Sequence, residues 1–334
     1  MKFVERDDVL EMLALGWVSG EHSLLLGPPG TAKTALVQEF AKAVAVPVFH
    51  RLLTQFTTPD ELLGPVDIAA LKAGRVERVV TGFLPTAEIV FLDEVFKANS
   101  AILNTLLDAM EYRRLLISPT QQLQLPLRML VGASNEYPQN GLEAFADRFT
   151  LRSYVGYVSQ TGFLQMLQGS GSEVVPPVVP ASPADPTSVF PLLAQLRQEL
   201  DGTISDRRWV KLAKLIGWHA AMQGKPAADA SDLLVARFVL WQPESGREGY
   251  LKLEARLYDL AMPEVAQARA MVKEIEEAYA GAKTFAEKLQ VAARIQTAVK
   301  AMERMGKDRV GQYIDQSLRI YDALLQEVKP SAGD

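Results

Sequence analysis

Ser23-Leu24-Leu25-Leu26-Gly27-Pro28-Pro29-Gly30-Thr31-Ala32-Lys33-Thr34 reads as a short buried strand that stops on a glycine loop. The three leucines suit a strand covered on both faces of a parallel sheet. Gly27 and Gly30 admit backbone conformations closed to other residues, so the loop's amide hydrogens can converge on an anion. Lys33 adds positive charge. The helix-compatible segment from Lys33 through Val44 would aim its dipole and free N–H groups at the same phosphates. Thr34 is placed to set its hydroxyl on Mg²⁺. Ala32 departs from G-x-x-x-x-G-K-[ST], standing where the pattern has its second glycine; if that position opens the helix, alanine serves as well as glycine or better. The bland alternative is a ligand-free loop between a core strand and a surface helix, and the later motifs weigh against it.

Ala87-Glu88-Ile89-Val90-Phe91-Leu92-Asp93-Glu94 supplies a second buried strand, this one ending in two carboxylates. Adjacent acids at the C-terminal end of a core strand are costly without a task, and that edge is where α/β sheets bind ligands. Asp93 suits a Mg²⁺ shell, and Glu94 lies one residue on, able to take a proton from an attacking water. Arg128-Met-Leu-Val-Gly-Ala-Ser134-Asn135 is a third buried strand ending on polar groups. Asn135 could orient that water, although Asn is also a routine turn residue. Arg148, in Asp147-Arg-Phe before a last strand at 150–158, is not assigned to the same site by sequence order and is a candidate to serve a neighbouring molecule.

Between these motifs the chain alternates strand and helix as a parallel βαβ fold does. Residues 4–19 form a leading helix broken at Gly20, and Val46 to Leu53 forms a strand before the turn at Thr57-Thr-Pro-Asp. Residues 65–82 interrupt the rhythm as an insertion turning around Gly74. A helix over 100–112 and a hairpin over 113–126 follow.

The length of 334 residues and 48% hydrophobic content support two or three domains. The charged opening of the sequence does not read as a signal peptide, and no apolar run reaches membrane-spanning length. Zero cysteines exclude disulfides and thiolate zinc sites, and the scattered His22, His50 and His219 suggest no metal cluster. A cytoplasmic address is expected. The formal charge of −5, with no basic run, argues against a nucleic acid partner.

The ordered motifs resemble those of AAA+ ATPases: Gly27 to Thr34 as Walker A, Ile89 to Glu94 as Walker B, Asn135 as sensor 1 and Arg148 as arginine finger. More narrowly the chain resembles the MoxR family, in the Ala-Lys-Thr ending of Walker A, the insertion after the second strand, and Asp147-Arg-Phe-Thr-Leu-Arg-Ser-Tyr. Within that family Phe56-Thr-Thr-Pro-Asp-Glu-Leu-Leu-Gly-Pro65, Ala101-Ile-Leu-Asn-Thr-Leu-Leu107 and Ser205-Asp-Arg-Arg-Trp209 resemble the RavA type. The resemblance covers roughly residues 5–255. It implies a P-loop α/β core with an all-α lid, use of ATP and release of ADP with Mg²⁺, and a homo-oligomeric ring, commonly hexameric, with nucleotide between subunits. It also implies a protein partner, often one with a von Willebrand factor A domain. Arg207 matches sensor 2, with Arg208 adjacent, and Arg152 stands as a second choice of finger. RavA proteins normally carry a β-rich insertion near the C-terminus, and this sequence has no strand-rich segment there.

The expected organisation is an AAA+ core over 1–168, a Gly/Ser/Pro-rich linker over 169–191, a helical lid over 192–262 and a helical bundle or hairpin over 263–334. Three apolar stripes mark the tail: Val265 to Tyr279, then Phe285, Leu289, Ala292, Ile295, Val299 and Met302, then Val310 to Val328. The leading expectation is an ATP-hydrolysing protein-remodelling motor, with the Thr54 to Glu61 loop and the 65–82 insertion as pore candidates. A nucleic-acid motor and a nucleotide-dependent scaffold with little turnover are the alternatives.

Overall fold

The computed structural model describes residues 2–118, 121–138, 141–200 and 204–328. Residues 119–120 of the expected hairpin, 139–140 of the loop after Asn135, and 201–203 lie outside them, as does the Val328 side chain. The chain forms β1 (Lys2–Phe3), α1 (Asp7–Ser19), β2 (Ser23–Leu26), α2 (Lys33–Ala43), β3 (Val48–Leu52), α3 (Pro59–Leu63), α4 (Ile68–Lys72), β4 (Ile89–Asp93) and α5 (Ser100–Tyr112). Next come β5 (Arg114–Ser118), β6 (Gln121–Gln124), β7 (Met129–Ser134), α6 (Glu143–Ala146), β8 (Leu151–Tyr154), α7 (Gln160–Leu167) and β9 (Ser172–Glu173). The rest is helical: α8 (Phe190–Glu199), α9 (Asp206–Met222), α10 (Ala236–Leu240), α11 (Gly246–Ala261), α12 (Pro263–Gly281), α13 (Phe285–Met305) and α14 (Lys307–Val328).

Five parallel strands build the main sheet in the order β3-β4-β7-β2-β8. Every residue of β2 and β7 is buried, as a parallel strand covered by helices on both faces requires. Register fixes which residues share a rim. Leu26 lies opposite Ser134 and Tyr154, and Leu92 lies opposite Gly132, so β2, β4 and β7 all end at one edge. At Gly132 a β-carbon would press on Phe149 at 2.9 Å, so the missing side chain lets Phe149 seat on the sheet. Phe149 continues edge-to-face through Phe145 to Phe96.

The 65–82 insertion is α4 plus a turn at Gly74, whose φ of 77° is left-handed, closed by a bridge between Val66 and Arg78. Of the segment read as linker, Ser172–Glu173 pairs antiparallel with β1.

Residues Met1–Leu253 form one compact unit and the chain from Glu254 another. In the second, α12, α13 and α14 pack around Ala268, Val272, Met302, Val310 and Ile314, and around Ile275, Val291, Ala292, Ile295 and Leu324. The stripe expected on α13 is partly out of phase: Phe285 and Leu289 are exposed. The helix buries the row through Val291, Ile295 and Met302, about 120° round from them. Leu318 and Leu325 are likewise exposed. Among the described residues no helix is long and apolar enough to cross a membrane.

Candidate nucleotide-binding site

The loop from Gly27 to Ala32 leaves β2 under tight backbone constraint. The Gly27 amide donates to the Ser134 carbonyl at 3.1 Å, and the Val155 amide donates to Leu26 at 2.6 Å. Gly30 has φ 78° with open space where a β-carbon would be. Ala32 corrects the sequence reading: it caps α2 at φ 68° and ψ 20°, a left-handed conformation, and does not lie in the helix. Alanine there is strained where glycine would not be, because its β-carbon crowds the following carbonyl. Lys33 is buried with Nζ donating to the carbonyls of Gly27 (2.8 Å) and Pro28 (2.9 Å). Burial draws its ammonium below the ordinary lysine range, while Asp93 and Glu94 oppose that shift.

Two supports of this loop escaped the sequence reading. Arg6, buried, donates from Nη2 to Gly156 at 2.7 Å and from Nε to the Thr31 carbonyl at 3.4 Å, tying the loop to the chain beyond β8. Beside the loop lies a cavity of about 520 Å³, lined among others by Val4, Thr31, Ala32, Tyr157, Phe163 and Met166. Its lining of apolar and aromatic residues with a few polar ones, Arg6 and Ser159 among them, suits a flat aromatic base. A buried charge between Val4 and Val9 and the aromatics after the last strand were the available signals.

Asp93 ends β4, and its Oδ1 accepts the Glu94 amide at 3.0 Å. Glu94 turns the chain at φ 52°, and its Oε2 lies 3.2 Å from Lys97 Nζ. Ser134 is engaged by Glu136, accepting its amide at 3.0 Å. Asn135 is exposed and makes no side-chain hydrogen bond among the described residues. The hard oxygens of Asp93 and Thr34 fit Mg²⁺, which takes one or two protein ligands and completes its shell with phosphates and water. Among the described residues no group of three or more His, Asp or Glu is placed to hold a metal ion.

The arginines lie elsewhere. Arg148 precedes β8, whose Leu151 pairs with Ser23, the first residue of β2, at the rim opposite the phosphate loop. The three rises from Ser23 to Leu26 set these rims about 10 Å apart. Arg148 Nε lies 3.0 Å from Glu111 Oε2, and Arg207 Nη2 reaches the same carboxylate at 2.9 and 3.1 Å. Burial pulls the Glu111 carboxyl up, but Arg207 and then Arg148 outweigh it and hold it below the usual carboxylate range.

Arg152 and Arg208 differ in kind. Arg152, 5% exposed, donates to the carbonyls of Phe149 and Ala146; burial, reinforced by Arg208, pulls it down to about 9. Arg208, 4% exposed, binds Asp147 at 2.9 Å and the carbonyls of Val239 and Phe149. Both are internal braces. The side chains of Arg148 and Arg207 are 30% and 49% exposed.

Further ties join α9 and α10 to this rim. Lys211 binds Glu21 and Thr150 at 2.7 and 2.8 Å, and Arg237 binds Glu11 at 2.8 Å. His219 bridges Asp232 at 2.7 Å and Glu11 at 2.9 Å. Burial pulls its imidazole down, but the two carboxylates prevail and raise it to about 9.

Within one chain the structure therefore brings together Gly27 to Thr34, Asp93, Glu94 and Asn135, and separates them from Arg148 and Arg207. Residues 1–175 match the family described as the MoxR domain in the MoxR-vWA-beta-propeller ternary systems, and 188–253 match an AAA lid domain. An uncharacterized protein of Methanocaldococcus jannaschii is 37% identical over 255 residues, which are 72% of this chain and 68% of that protein. The chaperone MoxR1 of Mycobacterium tuberculosis is 34% identical over 182 residues, 52% of this chain and 46% of the chaperone. A solved structure of a candidate ATPase from Cytophaga hutchinsonii superposes with a TM-score of 0.57 at 19% identity, covering 77% of this chain and 90% of that one.

Proposed function

The chain belongs to the MoxR family of AAA+ ATPases, and from that premise we propose that it hydrolyses ATP at sites shared between adjacent copies and uses the cycle to remodel a protein partner. The observation that carries this reading is the separation of the phosphate loop and carboxylates from the half-buried Arg148, which stand on opposite rims of one sheet. A site missing its finger in each chain is complete only where two chains meet.

In this mechanism the loop amides and Lys33 hold the phosphates, and Asp93 and Thr34 would hold Mg²⁺, which when bound would supply charge neutralisation. Glu94 takes the proton from the attacking water and Asn135 orients that water. Arg148 of the adjacent copy offsets the charge developing at the γ-phosphate, with Arg207 beside it. The cavity by Tyr157 and Phe163 seats the base.

The assembly is a ring, hexameric by analogy with AAA+ relatives, in the cytoplasm. The matched family description supports a partner with a von Willebrand factor A domain, alongside a β-propeller protein. The affinity to the RavA type rests on the motifs at 56–65, 101–107 and 205–209 alone.

Mixing Arg148→Ala with Lys33→Ala tests the shared site. Each is inactive alone, the first for want of a finger, on the order of 10³ in rate, and the second for want of phosphate binding. The mixture regains hydrolysis where an intact loop meets an intact finger. Exchange of subunits with no regained activity would overturn the shared site, and stimulation by DNA in place of a folded protein would overturn the partner class.

A further inference from the structure

We propose that Glu111 is a positioning residue for the intersubunit half of the ATP site, holding Arg148 and Arg207 together as one two-armed cation for the adjacent copy's phosphates. The inference rests on the reading of function above and adds a residue to it.

Two arginines from distant parts of the chain converge on this one carboxylate. Arg148 sits just before β8, and Arg207 is the second residue of α9. Guanidinium groups brought this close repel one another, and the Glu111 carboxylate removes the repulsion by lying against both, at 3.0 Å from Arg148 and 2.9 Å from Arg207. The way each is held matters more. Arg148 faces Glu111 through Nε at 3.0 Å as an ion pair without a hydrogen bond, and its guanidinium makes no hydrogen bond among the described residues. Glu111 takes Arg207 by Nη2 alone, leaving Nε and Nη1. Guanidinium N–H groups left without a hydrogen bond are those that can take phosphate oxygens. A contact serving only to store the arginines would occupy their forks, as the carbonyls and Asp147 do at Arg208.

Glu111 is itself fixed. It lies one residue before the end of α5, and Arg113, at φ 54° after that end, binds the carbonyls of Gly20 and Met110. The imidazole of His22 also meets the Met110 carbonyl at 3.1 Å. The carboxylate is therefore anchored to the start of β2. Because α5 opens soon after Glu94 and closes at Glu111, one helix joins the carboxylates of one site to the arginines offered to the next.

The test is steady-state ATP hydrolysis by the full chain as a function of ATP concentration, with assembly followed by sedimentation and folding by thermal melting. Glu111→Gln keeps the shape and removes the charge. It is expected to lower kcat by roughly 10²-fold, the scale for misplaced catalytic groups. The KM for ATP stays within about threefold, since phosphate-loop binding is untouched. Glu111→Asp recovers part of the loss, and Glu111→Gln costs less in an Arg207→Ala background than in the parent, because only Arg148 is then left to position. Unchanged or increased kcat in Glu111→Gln overturns the proposal, as do additive losses, or a fall in kcat accompanied by an equal loss of ATP binding, melting temperature or assembly. A parent chain that does not hydrolyse ATP overturns the functional reading itself, whereas an active parent with an indifferent Glu111→Gln overturns this inference alone.

Discussion

Gly27 and Val155 meet backbone to backbone: a β-carbon on Gly27 would lie 2.1 Å from the Val155 carbonyl oxygen, and the Gly27 φ of 151° is itself outside the range of other residues. The phosphate loop and the chain leaving β8 are thus packed against each other with no room for a methyl group. Gly27→Ala must displace one of them. Loss of nucleotide binding with a lowered melting temperature is expected, checked by calorimetric titration and thermal melting. Retained affinity would show that the loop tolerates the shift.

Ala32 sets two small effects against each other. Its left-handed backbone costs about 1–2 kcal/mol, while glycine there would lose about 0.5–1 kcal/mol more conformational freedom on folding. Ala32→Gly is therefore expected to raise stability by no more than about 1.5 kcal/mol in urea denaturation. Ala32→Val is expected to destabilise clearly, since β-branching makes that backbone region harder to reach.

Lys33→Ala and Glu94→Gln separate binding from chemistry. The first removes the ammonium beside the Gly27 and Pro28 carbonyls and abolishes ATP binding. The second keeps ATP bound and stops turnover, because only the proton acceptor is lost. Hydrolysis by Glu94→Gln near the parent rate would remove Glu94 from its role.

Of the neighbouring arginines, only one of each pair should be separable from folding. Arg208→Ala leaves Asp147 and two carbonyls without their buried donor and is expected to cost about 3–5 kcal/mol. Arg152→Ala acts in the same direction. Arg148→Ala, on a half-buried side chain whose one ion pair is to a part-exposed carboxylate, leaves the stability from urea denaturation within about 1 kcal/mol of the parent and loses hydrolysis. A severe unfolding of Arg148→Ala would show it to be a brace as well.

His219 makes stability fall on the alkaline side. Its folded value, about 9, stands above the ordinary 6.5, so protonation favours the folded chain. The contribution is fully present below about pH 6.5 and disappears as pH rises through about 9, in all roughly 3 kcal/mol. Urea midpoints across that window should decline in the parent and decline less in His219→Gln.

The strand, glycine loop and helix of the candidate phosphate site, and the acids closing β4, were legible as structure in the sequence because strand burial, turn chemistry and helix starts depend on residues a few positions apart. Arg148 could be singled out only by resemblance. Its separation from the loop follows from sheet register, which brings Leu151 opposite Ser23 across more than a hundred residues. The tertiary structure alone divided the arginines. Arg152 and Arg208 look locally like Arg148 and Arg207, and their burial comes from carbonyls and an Asp147 up to 61 residues away. Glu111 had no signal at all, since its partner Arg207 lies 96 residues on. The left-handed turn at Ala32 and the phase of the stripe on α13 were also decided there, because backbone handedness and helix rotation answer to packing that local spacing does not encode.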